Sequence, residues 1–138
     1  SWLPGSRYAR PGMTRLVLRA SELMSVATMK PFDVAQGQLD AYNKQDLDKF
    51  CTFYAEDCIV SDLNGVITQK SRAEIRDRYA KAFAAFPQNK AKLVNRIVVG
   101  NTVVDHEDVE RAPGGERFEV IAIYTIKDGQ IVRVDFAR

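Results

Sequence analysis

The chain is poor in the residues that most often carry metal or redox chemistry. It has two cysteines and one histidine in 138 residues. Cys51 and Cys58 are seven apart, which is not a zinc spacing, and two cysteines do not make a disulfide framework. One histidine with scattered carboxylates is not a transition-metal site, so no metal or cofactor is expected. No apolar run approaches the ~20 residues of a membrane span. The glycines form no phosphate-binding pattern, and no nucleophile elbow or zinc-protease motif is present.

Charge is unevenly spread. The net charge is +2, but residues 1–30 carry five basic side chains against Glu22 alone. The remaining 108 residues hold 15 basic and 17 acidic side chains. The body of the chain is therefore slightly acidic, and nucleic-acid binding is not expected. The first 29 residues contain two Pro-Gly breakers and no sustained periodicity. They read as a leader or extended N-terminus, with Met13, Met24 and Met29 each a candidate start. They have no secretory core, so a cytoplasmic protein is expected.

The rest, 30–138, is long enough for one domain with its own core. Pro31 suits a helix first turn, and Phe32, Ala35, Leu39 and Tyr42 form one apolar stripe. Asp46 can cap a second helix, on which Leu47, Phe50, Cys51 and Tyr54 share a face, ending near Glu56-Asp57. Residues 58–62 (CIVSD) and Val66-Ile67 read as a short strand pair around the turn Leu63-Asn64-Gly65. SRAE at 71–74 is a capping box opening a third helix, marked by Ile75, Tyr79, Phe83 and Phe86 and stopped by Pro87. From residue 90 onwards four β-type runs follow, separated by Gly100-Asn101, Ala112–Gly115 and Asp128-Gly129. The expected class is α+β: three helices packed on a four-strand antiparallel meander. The run Phe118–Ile126 is apolar on both parities, so both sheet faces should be covered. Helices can cover one, and a second copy of the chain is the simplest cover for the other, giving a homodimer through the sheet.

Three stretches, LDAYNKQDLDKFCTFYAEDCIVSD (39–62), SRAEIRDRYAKAF (71–83) and YTIKDGQIVRVDF (124–136), resemble the NTF2-like superfamily, in its SnoaL-like and ketosteroid-isomerase-like branch. The resemblance implies a cone-shaped apolar pocket between helices and a curved sheet, a small hydrophobic ligand, and in many members a homodimer. In the isomerases of that branch an aspartate ending the first short strand is the general base, and a tyrosine and a protonated aspartate stabilise the oxyanion. Asp62 matches the base. Gln38 stands where the tyrosine would be, and Ala122 where the protonated aspartate would be. Tyr42 lies one turn further on. Tyr54, Tyr79, Phe83, Val120 and Tyr124 are the further candidates for the pocket wall.

The run VVDHEDVE (103–110) holds the only histidine, with Asp105, Glu107 and Asp108 around it. In a strand, His106, Val104 and Asp108 share one face, while Asp105, Glu107 and Val109 share the other. A plain hairpin register pairs Val109 with Phe118 and turns His106 away from the pocket. Comparison with the family places His106 on the pocket wall across from Asp62, which a one-residue register shift would allow. With that placement Asp62 and His106 form the expected acid–base pair, suited to isomerase-, dehydratase- or hydrolase-type chemistry on a small hydrophobic molecule. The alternative is a non-catalytic module that binds a small ligand or dimerises.

Overall fold

The structure is a computed structural model and describes residues 29–138. The leader reading of residues 1–29 lies outside the described residues except for Met29, which packs against the core. Three helices and six strands run in the order α1 (Pro31–Asn43), α2 (Leu47–Thr52), β1 (Tyr54–Asp62), β2 (Ile67–Gln69), α3 (Arg72–Ala85), β3 (Lys90–Val99), β4 (Thr102–Glu110), β5 (Arg117–Lys127) and β6 (Gln130–Ala137).

The helix starts are written in local chemistry. Pro31 sits in the first turn of α1, where its missing N–H removes no intrahelical bond. Asp46 accepts from the Lys49 backbone N–H at the start of α2. Ser71 accepts from the Glu74 N–H at 3.1 Å. The Glu74 carboxylate closes the box one residue earlier than expected, on the Lys70 N–H at 2.8 Å. The second helix is shorter than its apolar stripe suggests. It ends at Thr52, and Tyr54 already opens β1. An aromatic followed by Ala55 fits a strand as well as a helix face, and pairing of Tyr54 with Ile131 of β6 decides it.

The strands form one sheet in the order β2-β1-β6-β5-β4-β3. The expected meander is therefore only part of a larger, curved sheet. β1 lies parallel to β6 and joins the β1–β2 hairpin to the meander. Asp128 and Gly129, both at positive φ, make the two-residue turn between Lys127 and Gln130. Register breaks lie at Val60/Ser61, Leu93/Asn95 and Thr125/Ile126. Such breaks bend a sheet and increase its twist. α1 packs on β3, β4 and β5, and α3 packs on β1 and β2. All helices thus lie over one concave face. Gly37 allows α1 to touch the Phe53 ring, since a Cβ there would lie 2.5 Å from two ring carbons.

Candidate functional site: a buried carboxyl in an aromatic cavity

The β4–β5 register runs unbroken from Glu110↔Arg117 to Thr102↔Thr125. Val109 faces Phe118, Glu107 faces Val120, Asp105 faces Ala122, and His106 faces Ile121. Burial alternates along β4, with Val103, Asp105, Glu107 and Val109 under the helices. The expectation that His106 lines the cavity is thereby corrected. The hairpin closes without a bulge, through Arg111 N–H to the Glu116 carbonyl and Gly115 N–H to the Ala112 carbonyl. The irregularity that could have moved the register sits on β3 instead. His106 lies on the outer face, half-exposed, 2.6 Å from the exposed Glu119 carboxylate. Asp62 is exposed at the end of β1, beside the Asn64-Gly65 turn, and is not among the cavity residues. The two do not form an acid–base pair.

The cavity lies between α1, α2, α3 and the concave sheet and has a volume of about 140 Å³. Of the expected wall residues, Gln38, Tyr42, Tyr54, Tyr79, Val120 and Tyr124 line it. Ala122 is fully buried in the core beneath, and Phe83 stands behind the wall against Tyr42 and Tyr79, with centroids 5.6 and 6.1 Å away. Leu39, Phe50, Ala82, Val109, Phe118 and Phe136 complete the apolar surface.

Polar groups enter in three places. At the base, Gln38 donates through Nε2 to the Tyr124 hydroxyl at 2.9 Å and to the Ala35 carbonyl at 3.1 Å. Its Oε1 accepts from the Tyr54 hydroxyl at 3.1 Å. The Tyr124 oxygen is thus an acceptor in this chain, and its own proton has no acceptor among the described residues. Burial drives the Tyr54 and Tyr124 phenols well above their usual range, and Tyr79 up to about 12. All three are neutral donors at physiological pH.

On the sheet wall stands Glu107, 7% exposed, its Oε2 buried with no hydrogen-bond partner among the described residues. Burial, and then the negative charge of Asp105, push its carboxyl up to about 7, against the opposing pull of Arg96. Asp105 itself is tied: Arg96 Nε and Nη2 reach its two oxygens at 2.6 and 2.9 Å. Arg96 also donates to Gln36 and lies 4.8 Å over the Phe32 ring. So of two buried carboxyls on one face of β4, one is an ion pair and the other stands free in the cavity.

At the mouth are Arg78, Arg111 and Arg138. Arg111 lies between the Phe86 and Phe118 rings, 4.5 and 4.7 Å from their centroids. It donates to Asn89 at 3.0 Å, and Asn89 donates to Tyr42 at 2.6 Å.

Sequence reasoning missed Glu107 and the arginines. The signal for Glu107 was strand alternation: residues 105, 107, 109 and 111 share a parity, so the plain register would have put Glu107 and Arg111 inside with Val109. The thiols offer no nucleophile. Burial raises Cys51 and pushes Cys58 up to about 12. Among the described residues no group of three or more His, Cys, Asp and Glu side chains is arranged to hold a metal ion, and no helix is long and apolar enough to cross a membrane.

Residues 35–134 match the model of the SnoaL-like domain. The chain belongs to the SnoaL-like family. An uncharacterized cystatin-fold protein from Novosphingobium aromaticivorans is similar at 30% identity and a TM-score of 0.74, over 80% of this chain and 99% of that one. A proposed polyketide cyclase from Sinorhizobium meliloti is similar at 24% identity and a TM-score of 0.66, over 79% and 100%. An NTF2-like protein of unknown function from Cytophaga hutchinsonii shares the fold at 14% identity and a TM-score of 0.66, over 80% and 90%. No curated protein matches the chain. The architecture is the α+β NTF2-like fold of this family, whose members share a scaffold more than a reaction.

Proposed function

We propose that this SnoaL-like chain transfers a proton, without a cofactor, to or from a small hydrophobic carbonyl or hydroxyl compound, with Glu107 as the acid–base group. The observation that carries this reading is the free, buried Glu107 carboxyl in an aromatic cavity. A carboxyl held near neutrality populates both protonation states at working pH, which is what general acid–base catalysis requires. Neutral Tyr124, whose oxygen accepts from Gln38, supplies a hydrogen-bond donor at the cavity base, where a developing enolate or alkoxide oxygen would be stabilised. Gln38, by its place on α1, thus orients a phenol where the isomerase pattern would supply one directly. The chemistry is enolisation or dehydration of a compact substrate. An apolar cavity of about 150 Å³ accommodates benzene, so a single ring or a short branched chain matches the space.

The test is hydrogen–deuterium exchange at carbon, followed by NMR, over a panel of small cyclic and aryl ketones. Turnover should fall by roughly 10²–10⁴-fold in Glu107→Gln and be unchanged in Asp62→Asn. Equal exchange by wild type and Glu107→Gln would contradict the assignment. Binding with no exchange for any compound would favour the alternative, a non-catalytic ligand-binding module. On the outer sheet face Ile121 is 40% exposed beside Val104 and Ile123, and this is the face through which two copies would pair. Light scattering of wild type and Ile121→Glu tests that pairing.

A further inference from the structure

The mouth of the cavity carries a charge that the acid–base reading does not use. Arg78 comes from α3, Arg111 directly follows β4, and Arg138 directly follows β6. Sequence-distant elements have brought three guanidinium groups to one opening. Elsewhere, the arginines Arg76, Arg96, Arg117 and Arg133 each have a carboxylate partner, and Arg72 donates to the Tyr54 carbonyl. Arg78, Arg111 and Arg138 have none among the described residues. Among the described residues the only side-chain carboxyl lining the cavity is Glu107, whose neutral form burial favours.

Arg111 is the most constrained of the three. The rings of Phe86 and Phe118 hold its plane, and Nη1 is committed to the Asn89 side-chain carbonyl. That leaves the edge formed by Nε and Nη2, and Nε is buried without a hydrogen-bond partner. The same edge of Arg96 grips both oxygens of Asp105. A planar guanidinium presents two parallel N–H groups there, spaced to match a carboxylate. A buried N–H with no acceptor is unfavourable, so the site is improved by a ligand that brings one. Arg138, over Phe118 at 5.0 Å, and Arg78, over Tyr79 at 5.4 Å, add positive charge on either side. Between these groups and the cavity base the wall is aromatic and aliphatic.

We propose that the natural ligand is an apolar monocarboxylate, its ring or chain in the cavity and its carboxylate on the Nε–Nη2 edge of Arg111, with Arg78 and Arg138 as flanking charges. This rests on the cavity of the preceding section as the binding site, and not on Glu107 as its catalyst. It sets the substrate class of that site: the reacting group is carried by a molecule anchored through a separate acid.

The experiment is isothermal titration at about pH 6, where Glu107 is mostly neutral and both acids are ionised, with matched pairs, benzoate against benzamide and phenylacetate against phenylacetamide, which differ in charge but hardly in size. The acids should bind roughly tenfold or more tightly than the amides, and the advantage should shrink as salt is raised. Arg111→Gln should remove the advantage of acid over amide. Arg111→Lys keeps the charge but lacks the fork, and should retain only part of it. Arg138→Gln, at an exposed side chain, should weaken acid binding in the same direction even if changes at Arg111 compromise folding. Equal binding of acid and amide by the wild type would overturn the anion clamp and leave the cavity reading standing. Binding of neither member of either pair would overturn both. Acid selectivity with equal carbon exchange by wild type and Glu107→Gln would uphold the anion clamp and overturn Glu107 as the acid–base group.

Discussion

Replacing Glu107 with Gln should make the protein more stable, by a margin that grows between about pH 4.5 and about pH 7 and is constant above. The carboxyl has an ordinary value of 4.5 and sits at about 7 in the folded state, first because it is buried and second because Asp105 is near. A raised carboxyl pKa means the neutral acid is favoured in the fold. Its stabilising contribution is complete below about 4.5 and is lost as pH rises through about 7, because the folded protein must then ionise a group that water would ionise more easily. The gap between those values corresponds to roughly 3 kcal/mol at full loss. With the side chain only 7% exposed, solvent screening removes little of it. Gln has the same shape and no charge, so it escapes the penalty. The other groups coupled to Glu107 do not confuse the window. Tyr42, Tyr54, Tyr79 and Tyr124 are all shifted upward by burial. Urea unfolding of wild type and Glu107→Gln at about pH 5 and about pH 8.5 measures the effect. The variant should match wild type within about 1 kcal/mol at the lower pH and exceed it by roughly 3 kcal/mol, or on the order of 10 °C in Tm, at the higher. A stability difference that is the same at both pH values would refute the reasoning.

Three further substitutions probe the scaffold around the site. Arg96→Met leaves Asp105 charged at 0% side-chain exposure and should cost about 3–5 kcal/mol by chemical denaturation, whereas Arg96→Met with Asp105→Leu should cost less than Arg96→Met alone. Gly37→Ala gains helix propensity, but its Cβ meets the Phe53 ring at 2.5 Å, so a net loss of roughly 1–2 kcal/mol is expected in thermal melts. His106→Gln removes an exposed pair with Glu119 and should change stability by less than about 1 kcal/mol, with no effect on ligand titrations.

The local parts of the fold were legible because local chemistry decides them. The stripe Phe32–Tyr42, the caps at Asp46 and Ser71, and the Asp128-Gly129 turn each carry their own instruction within a few residues. What escaped the sequence depends on distant pairing. Tyr54 reads as the last residue of a helix face until Ile131 of β6 lies beside it. The parallel β1–β6 contact that turns a meander and a strand pair into one sheet joins residues some seventy positions apart, and no local pattern announces it. The face of His106 turned on a single-residue register choice. A plain count through the 111–116 hairpin gave the right answer, while analogy with relatives gave the other. Asp62 fitted a family position by strand order alone, but the β1–β2 turn leaves it in solvent. Nothing local marks Arg78, because only the ends of β4 and β6 reveal that its neighbours at the cavity mouth are two more arginines.

The claim on which the functional account depends is that Glu107 ionises near neutrality inside the cavity. Carboxyl-labelled glutamate, followed by carbon-13 NMR across a pH titration of wild type and Glu107→Gln, reads this directly. One resonance should titrate with a midpoint of about 7 and be missing from the variant. A Glu107 resonance that titrates with a midpoint near the ordinary value of 4.5 would contradict it.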